Sequence, residues 1–177
     1  MLPELTALRQ RYIQCRSDLR TAINDLPDQT FQWVLVPDMM TIGSHVLHIL
    51  GYEVLLISVL TGYDAHEVIA SGQWRPYLPG FYRELDRPQQ FDVTHALCMK
   101  QLDEIGDLVP RFLESLTQTQ LESNSCFFAH EAAFKNVPLV EVPNRVLVLT
   151  LLYHQEYHRG QVRLMCFLWR ETSKHGQ

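Results

Sequence analysis

Hydrophobic residues recur along the chain in alternating steps of three and four, the spacing that gives a helix one apolar face. The first run consists of Leu5, Leu8, Tyr12, Cys15, Leu19, Ala22 and Leu26. It predicts a first helix, and similar runs later in the chain predict three more. The predicted helices cover residues 3–26, 41–61, 92–116 and 143–169.

Two stretches between these helices have no clear period. Residues 63–90 hold three of the nine prolines and several aromatics, which predicts a long packed crossover between helices 2 and 3. Residues 117–142 are compatible with short extended pieces or with a partial helix. Asp92 is the expected N-cap of the third helix, and Pro110 is expected to bend it. The pattern predicts one all-α domain over residues 1–177, a four-helix bundle with a long crossover.

Composition narrows the classes of function. The 177 residues carry a net charge of -5, and their 15 lysines and arginines are scattered, so no basic surface for nucleic acid is expected. The N-terminus has charges in every turn, unlike a signal peptide, and the longest apolar run, VLLISVL, is too short to cross a membrane. The four cysteines contain no CxxC pair. These features predict a cytoplasmic protein with reduced thiols that serve mostly as core residues.

The last predicted helix places two histidines, His154 and His158, four residues apart on its apolar stripe. The stripe also contains Leu147, Leu151, Gln161 and Met165. Side chains four apart lie one turn from each other on the same face, close enough for both rings to bind one divalent ion. The alternative is that each histidine is a core residue that satisfies its hydrogen bonds.

The second predicted helix offers a third imidazole. Its stripe consists of His45, His48, Tyr52, Leu55 and Val59. Three inward histidines from two facing helices would leave coordination positions open, as a catalytic metal site requires. A fourth ligand from His45, His95 or Cys98 would instead close the coordination shell and favour a structural or sensing site.

Other catalytic patterns fit less well. Glu156 is two residues past His154, about 200° round the helix, so the stretch is not the His-Glu-x-x-His motif of zinc proteases. The inward Glu-x-x-His motifs of di-iron bundles are also missing from the sequence. His95 with Cys98 could form a nucleophile pair, but packing is the simpler interpretation. The residues therefore assign no catalytic acid, base or nucleophile.

Two stretches resemble the DinB/YfiT-like superfamily of metal-dependent four-helix-bundle proteins. MTIGSHVLHILGYE resembles the second-helix pattern of that family, and YHQEYHRGQV resembles its last-helix motif, in which a histidine pair precedes Arg-Gly-Gln. The resemblance implies that His48, His154 and His158 are the metal ligands, with His45 as the competitor for the first position. Gln161 is then expected to hydrogen-bond near the metal, and Gly160 to permit close helix packing.

The resemblance also implies a range of activities. Relatives include S-transferases that use bacterial low-molecular-weight thiols and a thiol-dependent isomerase. The expected cofactor is zinc or nickel, with iron as a further candidate. Thiol transfer with a metal-activated thiolate is the first hypothesis. The alternatives are a hydrolase, in which Tyr52 or Gln161 orients the substrate, and a structural or sensing module without catalysis.

The expected partners are a small-molecule substrate and, as in many relatives, a second copy of the chain. Aromatic residues of the predicted crossover are candidates for a dimer interface or a pocket mouth, although they could simply cover the bundle. These residues are Trp74, Tyr77, Phe81 and Tyr82.

Overall fold

The computed structural model describes residues 2–37, 39–64, 77, 92–128 and 138–175. These residues are mostly helical, which confirms the all-α prediction. The helices are α1 (Pro3–Ile23), α2 (Ile42–Leu60), α3 (His95–Ile105), α4 (Leu108–Ser115), α5 (Gln118–Glu122) and α6 (Asn144–His175). A 3₁₀ turn covers Asp28–Gln32, and two strands, β1 (Asn124–Phe128) and β2 (Leu139–Pro143), precede α6.

Helix α2 is the central element. It begins after Thr41, whose side chain accepts a hydrogen bond from the Ser44 amide at 3.0 Å, and it ends before Gly62, which has a positive φ of 98°. By length and composition α2 could cross a membrane, with a mean hydropathy of 1.5, but 83% of that window is buried inside the protein. A core helix passes the same test, and the pattern VLLISVL predicted such a central position.

The predicted third helix is two helices. Thr94, and not Asp92, is the N-cap of α3, since its hydroxyl accepts a hydrogen bond from the Leu97 amide at 3.1 Å. The helix is interrupted at Gly106 and Asp107, between α3 and α4, so the prediction of a bend at Pro110 was wrong. Pro110 lies in the first turn of α4, where an amide has no acceptor within the helix, so its missing N–H does not disturb the helix.

The undecided stretch before the last helix contains a small antiparallel sheet. β1 pairs with β2 in a register that places Cys126 opposite Glu141. The Asn144 side chain donates to the Gln120 carbonyl at 2.8 Å, which ties the start of α6 to α5. Helix α6 then runs to His175, six residues beyond its predicted end, while α1 stops at Ile23, before Leu26.

The core lies between α6, α1 and α2, with α3 against α2 and α4 against α1. Gly43 is closely surrounded by neighbouring residues. A Cβ there would lie 2.5 Å from Val93 Cγ1 and 3.1 Å from the Phe31 carbonyl oxygen, so a larger residue would clash. Helices α2 and α6 pack against each other, and each carries a buried histidine, His45 on α2 and His154 on α6.

Candidate metal centre

Three histidines from α2 and α6 converge inside the protein. His48, His154 and His158 each offer a ring nitrogen, and these nitrogens lie within 4.8 Å of one another. His154 is 5% exposed, whereas His48 and His158 are partly exposed. The helical period places His154 and His158 on one face of α6, and the packing of α2 against α6 brings His48 to them.

The closest pair of nitrogens has a spacing that suits a shared cation. His154 Nε2 lies 3.0 Å from His48 Nε2. Two imidazole nitrogens bound to one ion at about 2.0–2.1 Å would be roughly 2.9–3.4 Å apart for angles between 90° and tetrahedral. The nitrogens of all three rings lie within 4.8 Å of one another, so the widest spacing in the group exceeds this range.

Gln161 orients one of the three rings. Its Oε1 lies 2.6 Å from His158 Nδ1. A carbonyl oxygen can only accept, so His158 Nδ1 carries the proton and the neutral ring keeps its lone pair on Nε2. Gln161 thus makes the kind of outer contact that fixes the tautomer of metal-binding histidines.

Aromatic rings enclose His154 on another side. The Tyr52 ring stacks on the His154 ring with centroids 3.8 Å apart and planes 14° from parallel. Phe127 of β1 packs edge-to-face against Tyr52, with ring centroids 6.1 Å apart, so the small sheet supports the position of the Tyr52 ring. Tyr52 therefore holds the His154 ring by its face. Phe127 was not predicted at the site, because the fold of residues 117–142 could not be decided from the sequence.

Burial favours the neutral form of two of the histidines, His154 and His158. Burial lowers the pKa of His154 well below its ordinary value, and the neighbouring His48 and His158 lower it further. Burial also lowers the pKa of His158, although the hydrogen bond to Gln161 acts in the opposite direction. Neutral imidazoles have the free lone pairs that a divalent ion needs, so these two shifts favour ion binding near neutral pH.

The other candidate residues have different surroundings. His45 is buried, and its ring centroid lies 5.6 Å from that of His158, so it borders the three histidines. His95 meets the edge of Phe31, with ring centroids 5.3 Å apart. Burial raises the pKa of Cys98 to about 12, and its thiol faces the Gly43 carbonyl. A nucleophile needs a lowered thiol pKa, so Cys98 is a packing residue.

One supporting role predicted for the Arg-Gly-Gln motif was wrong. Gly160 is exposed, and a Cβ added there would meet nothing within 4 Å, so this glycine permits no close packing within the chain. Arg159 instead forms an ion pair with Asp18 of α1. The motif therefore ties α6 to α1 through its arginine and orients His158 through its glutamine.

Sequence reasoning missed a buried polar network between α1 and α2. Glu53 is 1% exposed and accepts a hydrogen bond from the Tyr12 hydroxyl at 2.8 Å. Arg16, 8% exposed, donates to both Glu53 and Tyr12. Burial raises the pKa of Glu53 and the Arg16 guanidinium opposes that shift. Tyr12 was predicted only as a member of the apolar stripe of the first helix, so its contacts with Arg16 and Glu53 were not expected.

Comparison with known families places the chain. A family profile described as the DinB superfamily matches residues 11–162. The chain belongs to the DinB superfamily. The matched range of this DinB-superfamily chain includes His48, the pair His154 and His158, and Gln161. No curated protein matches the chain.

Proposed function

We propose that this DinB-superfamily chain is a metal-dependent enzyme in which His48, His154 and His158 bind one divalent ion. The observation that carries the proposal is the convergence of three imidazole nitrogens within 4.8 Å, two of them at a spacing that suits a common ion. Zinc or nickel is the proposed metal, with iron as the further candidate. The proposal includes a four-helix bundle that holds this site between α2 and α6.

Residues around the three histidines hold the imidazole rings in position before an ion binds. Gln161 fixes the tautomer of His158, and Tyr52 restrains the His154 ring by stacking on it. Burial lowers the pKa of both His154 and His158, which favours the neutral rings that a divalent ion binds. A divalent ion bound by these rings would lower the pKa of a coordinated thiol or water, which supplies a nucleophile near neutral pH.

Three ligands favour catalysis over a purely structural role. Among the described residues the convergent group comprises three histidines, whereas structural zinc sites are almost always closed by four protein ligands. An open position is what a thiol or a water would occupy. The enzyme proposal is preferred over a structural or sensing module for this reason.

Thiol transfer is the proposed reaction. Three of the four cysteines are buried, and burial raises the pKa values of Cys98 and Cys166 to about 12 and about 11. A sulfur nucleophile supplied by a small thiol requires none of these cysteines. The proposed partners are a low-molecular-weight thiol and a small electrophilic substrate, and the proposed compartment is the cytoplasm.

Metal binding is the first test. Chelator-stripped protein is titrated with zinc, nickel and ferrous iron by calorimetry, alongside the variants His154→Ala and His158→Ala. His95→Ala is the matched control, because His95 packs against Phe31 and is not a member of the convergent group. We expect one ion per chain in the parent and in the control, and loss of tight binding in both site variants. Unchanged binding in the site variants would show that the ligands are assigned wrongly.

Turnover is the second test. Metal-loaded protein is mixed with bacillithiol, mycothiol or glutathione, or with no thiol, against a panel of reactive halides and epoxides. Transfer requires product that depends on both metal and thiol. Product formed with metal alone would assign hydrolysis instead. Tight metal binding without turnover across the panel would leave the structural or sensing role.

A further inference from the structure

Two tyrosines of α6 lie beside the histidine pair and are open to solvent. Tyr153 and Tyr157 immediately precede His154 and His158 in the sequence, so a row of two phenol rings runs along the helix next to the two imidazoles. Tyr153 is 70% exposed and Tyr157 is 55% exposed. Neither ring therefore serves mainly to fill the core.

The Tyr157 ring is in contact with the three-histidine group. Its centroid lies 4.9 Å from that of His158, and the two ring planes meet at 77° in an edge-to-face arrangement. The Tyr153 ring is within 14° of parallel to Tyr157, with centroids 6.5 Å apart. Both spacings are typical of attractive aromatic pairs, so these contacts give Tyr157 a defined position before any molecule binds.

Solvent reaches the three-histidine group on the side of His48 and His158. His154 is 5% exposed, and the stacked Tyr52 ring covers one of its faces. His48 and His158 are partly exposed, and His158 contacts the Tyr157 ring. A small molecule that approaches His158 from solvent therefore passes close to Tyr157.

An exposed aromatic ring with a fixed position recognises a second flat ring better than an alkyl group of similar size. Both groups lose apolar surface to water when they pack against the tyrosine. The flat ring gains, in addition, the attraction between two aromatic rings, which corresponds to a factor of about 2–10 in affinity. Tyr157 is thus suited to select among small molecules by the presence of an aromatic ring.

We propose that Tyr157 determines substrate specificity by packing against an aromatic ring of the substrate, while Tyr153 holds Tyr157 in place. The proposal rests on the proposed function, because it names the substrate class for the same three-histidine site. The electrophile for thiol transfer is then an arylmethyl halide or an aryl epoxide rather than a purely aliphatic compound. With the halide, the thiol sulfur forms a bond to the benzylic carbon as the carbon–halogen bond breaks; halide departs with the electron pair, and the thiol proton goes to water.

The test uses two hydroxamates, which bind a protein-held zinc ion and differ only in their ring. Benzohydroxamate carries a flat aromatic ring, and cyclohexanecarbohydroxamate carries a puckered alkyl ring of similar size. Tyr157→Leu keeps an apolar side chain that suits a helix but removes the aromatic ring, whereas Tyr157→Phe keeps the ring.

Tyr63→Leu is the matched control. Tyr63 is 63% exposed, so the same substitution is made at a tyrosine that is about as open to solvent as Tyr157. It follows the end of α2, fifteen residues after His48, which at the helical rise is roughly 22 Å away. A loss of aromatic surface in general is thereby separated from a loss at the site.

The readout is calorimetry, first of zinc binding and then of each hydroxamate binding to the zinc-loaded protein. We expect the parent to bind benzohydroxamate about 3–10-fold more tightly than the cyclohexyl compound. Tyr157→Leu should abolish this preference, Tyr157→Phe and Tyr63→Leu should keep it, and all four proteins should bind zinc equally. Equal zinc affinity also shows that the variants are folded, since the ligands come from two helices.

The outcomes separate this inference from the proposed function. A parent that binds zinc without any preference for the aromatic hydroxamate would overturn the inference and leave the metal site in place. Retention of the preference in Tyr157→Leu would overturn it as well, because another group would then contact the ring. A parent that binds no zinc would refute the proposed function itself, and the inference would fall with it.

Discussion

The Arg16–Glu53 pair gives the sharpest test of the packing between α1 and α2. Both side chains are almost completely buried, and the Tyr12 hydroxyl completes the network. Replacing Arg16 by methionine keeps most of the side-chain volume but leaves a buried carboxylate without its countercharge. Removal of one partner from a buried pair costs about 3–5 kcal/mol of unfolding free energy. For a chain of this size that corresponds to a fall in the unfolding temperature of roughly 10 °C.

The loss should depend on pH in a defined direction. Burial already raises the pKa of Glu53, and without Arg16 nothing charged opposes that shift. The unfolded carboxyl titrates near pH 4.3, so the folded state binds the proton more tightly between that value and the raised pKa. Stability of Arg16→Met therefore falls as the pH rises through this window. We expect a smaller loss at about pH 5 than at about pH 8.

The assay is urea unfolding at both pH values, followed by circular dichroism. The triple variant Tyr12→Phe, Arg16→Met and Glu53→Leu removes every polar member of the network together. It should recover most of the lost free energy, because replacing a whole buried ionic network by apolar residues is often close to neutral. A fall of less than about 1 kcal/mol in the unfolding free energy of Arg16→Met would contradict this prediction. A triple variant that is less stable than Arg16→Met would contradict it as well.

Three further predictions concern other parts of the chain. Gln161→Leu should weaken metal binding by about 10–100-fold. Gln161→Glu keeps an acceptor for His158 and should bind metal nearly as well as the parent. If calorimetry gives Gln161→Leu the same metal affinity as the parent, Gln161 does not have this role. Gly43→Ala should lower the unfolding free energy by about 1–3 kcal/mol in thermal denaturation, and an added Val93→Ala should restore part of it, since the new Cβ would lie 2.5 Å from Val93. Iodoacetamide at about pH 8 should label the exposed Cys126 first. The buried Cys98 has a pKa of about 12, so only about one part in ten thousand of it is thiolate at that pH. Equal labelling of the two cysteines by mass spectrometry would disprove the burial of Cys98.

The helices were predictable because their signal is local. The three-and-four spacing of apolar residues depends only on the helical period, and it located α1, α2 and α6 to within a few residues at most ends. The same period put His154 and His158 on one face without any knowledge of the fold. The break at Gly106 and Asp107 was missed, because Pro110 is the more familiar helix breaker and its position in a first turn was not visible from the sequence.

Contacts between distant segments were decided by tertiary structure. The stripe of α2 offered both His45 and His48, and only the rotation of α2 against α6 brings His48 Nε2 to 3.0 Å from His154. The strands β1 and β2 have five residues each, and β1 contacts α2, which is distant from it in the sequence. Strand preference depends strongly on such tertiary neighbours. Arg16 and Glu53 are 37 positions apart, so neither spacing nor composition could pair them. Periodicity fixes which face a side chain occupies, but a partner on another element is chosen by how the two elements pack.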